Sequence, residues 1–140
     1  MALSVAEKRI NQADKSKWLV EEVWLTDWIN LKQPTTAHSE FMAACAVKNL
    51  SFTNFYAFYE DIKSRVVALN AGAHKGSFEL GTKERTQTRL QDLKQIDELE
   101  RKTAELKAAL KKESQFNRKL ELNEEIKNHQ QAIARLQEQL

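Results

Sequence analysis

The chain has 140 residues, 41% hydrophobic and 30% charged, with 22 basic and 20 acidic side chains and a formal net charge of +2. That length suits one small domain plus an extension and excludes a large multidomain enzyme, and so even a charge excludes a polycation that coats nucleic acid indiscriminately. One proline and three glycines in a lysine- and glutamate-rich chain argue for an all-α protein. The expected organisation is a small helical domain over residues 1–69, a glycine-containing linker over 70–82 and a long coiled-coil helix over 83–140.

The opening MALSVAEKRINQADK is charged by position 7 and has no apolar run, so it reads as neither a secretory signal nor a membrane span. The single cysteine, Cys45, cannot form an internal disulfide and reads as a small buried apolar residue, which fits a soluble protein in a reducing cytoplasm. All three tryptophans follow within a short stretch. Read as a helix, the stretch sets Val20, Trp24, Trp28 and Leu31 on one face and Trp18, Leu25 and Ile29 on another, so both faces must be covered. Pro34 is expected to end this helix and Thr36 to cap the next.

Residues 39–66, SEFMAACAVKNLSFTNFYAFYEDIKSRV, read as a helix-turn-helix. The turn is placed at residues 48–51, where Asn49 is suited to a left-handed conformation and Ser51 to an N-cap. Leu50 and Phe55 are spaced as a hydrophobic staple across that cap. Phe55, Phe58 and Ile62 fall on one helical face and are expected to point inward, with Phe41, Ala44 and Cys45 across the turn. The exposed side would hold Thr53, Asn54, Tyr56 and Tyr59; Thr53 and Asn54 are short hydrogen-bonding residues suited to base edges, and Ser51, Thr53, Asn54 and Tyr56 would dock the helix on DNA. Lys48, Lys63 and Arg65 would hold phosphates. Across residues 35–70 these three bases face three acids, Glu40, Glu60 and Asp61, so one copy alone would bind DNA weakly and a dimer or partner is expected.

The string NLSFTNFYAFYEDI resembles the turn and recognition helix of tetracycline-repressor-type regulators, in which the residue matching Tyr56 commonly contacts a phosphate. Extended through IKSRVVAL to a polar linker and a charged helix, it is similar to the small accessory proteins of transposons that move with paired tyrosine recombinases. The resemblance implies a bacterial, nucleoid- or mobile-element-associated protein that binds double-stranded DNA and docks a recombinase or transposase.

Gly72, Gly76 and Gly81 mark the linker, whose region carries Lys75, Lys83 and Arg85 as weaker candidate phosphate contacts. Beyond it, Ile96, Leu99, Thr103, Leu106 and Leu110 alternate by three and four as coiled-coil core positions. The seam fails at Glu113 and Asn117 and recovers at Ile126, His129, Ile133, Leu136 and Leu140, two residues out of phase. A continuous helix with a register break is favoured over a hairpin bending near residues 111–119, because no glycine or proline marks a turn. From Leu90 onward bases and acids balance, as on a solvated helix that dimerises the chain or docks a partner.

Catalytic chemistry is not expected. His38, His74 and His129 are dispersed, no spacing suggests a metal or cofactor site, and no arginine and histidine cluster accompanies Tyr56 or Tyr59 to support a tyrosine nucleophile. Two readings follow from the sequence. One is a non-catalytic DNA-binding accessory of recombination, with a plasmid or phage regulator or partition protein as its close variant; the other is a protein–protein scaffold without DNA binding.

Overall fold

In a computed structural model that describes residues 1–140, the chain forms a two-stranded antiparallel sheet and four α-helices. It separates into two compact units, Met1–Thr86 and Gln87–Leu140. The fold is therefore mixed α and β, which overturns the all-α expectation.

The first unit opens with strands β1 (Ser4–Ile10) and β2 (Trp18–Leu25). WLVEEVWL is rich in β-branched and aromatic residues, which suit a pleated surface better than a helix interior. The seven-residue turn between the strands is built from side-chain caps: Asn11 Oδ1 accepts from the Ala13 N–H and Asp14 Oδ1 from the Ser16 N–H. The pairing runs from Ser4↔Leu25 to Ile10↔Trp18, with an irregularity between Glu7 and Lys8 that leaves Glu21 as an extra residue on β2. Past the strand ends the chains stay joined, with Thr26 N–H donating to the Leu3 carbonyl and Ile29 N–H to the Met1 carbonyl. The tryptophan-rich helix expected before Pro34 does not form. Its two apolar faces are those of a strand and the extended segment after it.

Helix α1 (Thr36–Ala44) is capped by Thr35, whose hydroxyl accepts from the His38 N–H, one residue before the expected cap. Helix α2 (Phe55–Ala73) is capped by Asn54, whose side-chain oxygen accepts from the Ala57 N–H at 2.8 Å. Residues 45–54 join the two helices through a single 3-10 turn, Val47–Asn49, a longer connection than the roughly three or four residues of a helix-turn-helix. Asn49 does not adopt the left-handed conformation, since no non-glycine residue has positive φ. Its side chain instead donates to the Ala43 carbonyl at 2.8 Å.

The core of this unit lies along α2, where Val66, Val67, Ala68, Leu69 and Ala71 are buried, together with Phe41 of α1 and Val5, Trp24 and Ile29 of the sheet region. Phe58 and Ile62 are half-buried, while Phe55 is 94% exposed, so the expected staple with Leu50 is not made. Phe55 follows Asn54 directly at the helix start, and the helix phase turns it to solvent. The first residues of the expected linker, 70–73, are the last turn of α2. Gly72 is required there, because a Cβ would sit 1.9 Å from the Ser77 carbonyl oxygen. Gly76 follows with φ of 74°, a conformation other residues rarely adopt.

The second unit consists of α3 (Lys83–Lys112), from Gln87 onward, and α4 (Phe116–Gln139). They form an antiparallel hairpin rather than one continuous helix. Glu113 Oε1 accepts from the Ser114 and Gln115 N–H groups, ending α3 and turning the chain without glycine or proline. Arg89 Nε reaches the Leu140 backbone oxygen at 2.8 Å, and Thr103 and Lys107 border the same hollow as Gln130 and Ile133. Ile96, Leu99, Leu106 and Leu110 on α3, and Ile126, Ile133 and Leu136 on α4, are all buried or half-buried. The two-residue phase shift of the seam is thus a chain reversal, and the second helix of the expected coiled coil is supplied by the same chain. No helix is long and apolar enough to cross a membrane.

Candidate interaction surface

Residues alternate between the faces of a strand, so the observed register assigns each side chain a side. Trp24 and Val5, paired and buried, mark the inner face, which α2 covers. Lys63 of α2 lies across that face, its ammonium 4.8 Å from the Trp24 ring centre, 3.1 Å from a Glu60 oxygen and 3.4 Å from a Glu7 oxygen. Burial works against the Lys63 charge, but the hydrogen bond and charge of Glu60, with Glu7, outweigh it and hold the pKa above the ordinary lysine value. Tyr59 donates its hydroxyl to the Ala6 carbonyl, and burial raises its pKa above the usual phenol value.

The extra residue at Glu21 changes what the outer face carries. Beyond the bulge, Arg9 pairs with Glu21, and Glu7 stands opposite Glu22 on the inner side. Glu7 and Glu22 keep the phase of Val5 and Trp24, and the extra residue turns Val20 and Trp18 to the same outer side as Val23 and Leu25. The outer pairs are Ser4↔Leu25, Ala6↔Val23, Lys8↔Val20 and Ile10↔Trp18. Ile10, Trp18, Val20, Val23 and Leu25 are each at least half exposed. A one-sided antiparallel sheet normally shows its polar residues outward. Here the open side is the apolar one, with Lys8 as its single charge.

Most residues expected at a DNA interface have other work. Arg65 is buried; its Nε donates to Ala44 O at 2.9 Å, Nη1 to Asp61 O at 2.7 Å and Nη2 to Asn49 O at 2.8 Å. Asp61 in turn accepts from the Ser51 N–H at 2.7 Å, so helix α2 holds the connection from α1 at two points. The Ser51 and Thr53 hydroxyls bond each other at 3.1 Å, and Ser51 caps no helix. Asn54 is the cap, while Lys63 and Tyr59 are committed to the sheet as described. Thr53 and Tyr56 remain exposed at the start of α2, where Phe52, Phe55 and Phe58 form a shallow apolar hollow, and Lys48 remains exposed in the 3-10 turn before it. Lys75, Lys83 and Arg85 are exposed as well, with Arg85 3.6 Å from Glu79.

The profile of DUF4391, a domain of unknown function, matches residues 1–133. The chain belongs to the DUF4391 family. No curated protein and no solved structure matches it. Within the DUF4391 domain, no group of three or more His, Cys, Asp or Glu side chains is placed to hold a metal ion. Burial raises the Cys45 thiol pKa, with Arg65 partly offsetting it, which leaves Cys45 a poor nucleophile. A cleft bordered by Asp27, Thr35, His38, Asn70 and Gly76 contains no such grouping either. The outer sheet face was missed in the sequence because a helical period fits its residues. The available signal was the alternation Val23, Leu25 against Glu22, Trp24, interrupted at Glu21.

Proposed function

We propose that this DUF4391 chain is a non-catalytic protein-binding module whose docking surface is the outer face of the β1–β2 sheet. The observation that carries this reading is the inverted sheet: five apolar side chains at least half exposed on one face, with Lys8 the single charge among them and the other charged residues of the strands on the opposite face. A contiguous open apolar patch of this kind marks a surface that works when covered. Replacing Val23 with the photo-crosslinker p-benzoylphenylalanine in cells tests it. Discrete protein adducts from position 23, absent from the exposed position Asp97 on α3, are expected; no adduct from position 23 overturns the reading.

The DNA-binding accessory reading draws its support from Thr53 and Tyr56, exposed at the start of α2, and from Lys48, exposed in the connection before it. A mobility shift over a salt series tests it. Salt-sensitive binding lost in Lys48→Ala and kept in Val23→Asp would favour DNA as the partner, and absence of any salt-sensitive shift would sink that reading.

A further inference from the structure

We infer that the protein covering the outer sheet face is a second copy of this chain, packed face to face about a twofold axis. The inference rests on the protein-binding reading of that face and names its partner. Ile10, Trp18, Val20, Val23 and Leu25 leave on the order of 600 Å² of apolar surface open, against roughly 800 Å² per partner in a standard stable interface.

A twofold interface must be complementary to itself. Along the outer side of β2 the order is Trp18, Val20, Val23, Leu25: large at both ends and small between. That order is nearly the same read backwards. Rotation about an axis crossing the strands at mid-length sets Trp18 of one copy over Leu25 of the other, and Val20 over Val23. On β1 the same rotation places Lys8 over the small Ala6, so the only outward charge does not meet its own copy. The helical hairpin offers no equivalent surface, since its seam is already covered within the chain.

Sedimentation equilibrium of the full chain from about 1 to about 200 µM, at low and high salt, reads the assembly directly. A dimer insensitive to salt is expected, because the contact is apolar. Val23→Asp should weaken it at least about 30-fold, as for a central interface residue, while Leu120→Asp on α4 leaves it unchanged. Val23 is exposed, so a folded variant is expected, checked by circular dichroism. Should Val23→Asp fail to fold, the double variant Val20→Cys, Val23→Cys in a Cys45→Ser background supplies the answer: oxidation should give a covalent dimer. A wild-type monomer at every concentration, a dimer indifferent to Val23→Asp, or no covalent dimer overturns the inference. A monomer whose position 23 still crosslinks a different protein overturns only the second copy; a monomer without any adduct overturns the protein-binding reading as well.

Discussion

The Arg65 guanidinium donates to the Asn49 carbonyl oxygen at 2.8 Å, closing the connection between α1 and α2 from the side of α2. The same group holds the Ala44 carbonyl near the end of α1 and the Asp61 carbonyl one turn earlier on its own helix. Arg65→Ala should therefore lower stability by about 2–3 kcal/mol, through three lost charge-assisted bonds and a vacated buried site. Arg65→Lys should recover little, because one ammonium cannot reproduce the planar fork. Denaturant melts check this, and a change below about 0.5 kcal/mol for Arg65→Ala would contradict the clamp.

Helix α2 starts at Phe55 with Asn54 as its cap. Asn54→Ala should cost about 1 kcal/mol, and Ser51→Ala, which removes exposed contacts with the Thr53 hydroxyl and N–H, a few tenths. Thermal melts of the two variants decide which residue caps the helix; the reverse order would return the cap to Ser51.

Lys63 and Tyr59 both have pKa values raised by folding. For each, the protonated form is favoured in the folded state, so its contribution is complete below the unfolded values near 10 and is lost as pH rises through the folded ones. Melting temperature should fall steeply above about pH 10. The slope should be shallower in Lys63→Met and Tyr59→Phe, which remove the titrating groups. An identical alkaline slope in both variants would exclude them as its source.

Spin labels at Lys107 and Gln130, in a Cys45→Ser background, distinguish a hairpin from a single helix. Both positions border one hollow between α3 and α4, so with helix axes about 8–10 Å apart the labels should lie within roughly 20 Å of each other. A continuous helix would separate them by about 35 Å. Dipolar electron resonance measures either distance.

Much of the second unit was legible in the sequence. The positions Ile96, Leu99, Thr103, Leu106, Leu110, Ile126, Ile133 and Leu136 follow from local periodicity, and the phase shift between their two groups was the mark of the reversal at residues 113–115. The shift was readable as a register break because Glu113 turns the chain with its own carboxylate, a device that composition does not advertise. In the first unit, α2 was legible as a helix, but its start was placed early: Ser51 and Asn54 are both competent caps, and only packing chose between them.

By itself, then, the sequence determined what depends on neighbours a few residues apart: the helical character of residues 55–69 and of most of 83–140, the seam positions, and the even charge. The tertiary structure decided what depends on distant partners. Trp18–Leu25 is a strand because Ser4–Ile10 pairs with it, and the bulge at Glu21 disguises the period-two pattern that would have announced it. Arg65 and Lys63 look like phosphate ligands until the fold brings Asn49, Ala44, Glu7 and Trp24 to them. A charged side chain takes its role from the nearest opposite charge, carbonyl or ring in space, and that neighbour is set by packing rather than by position along the chain.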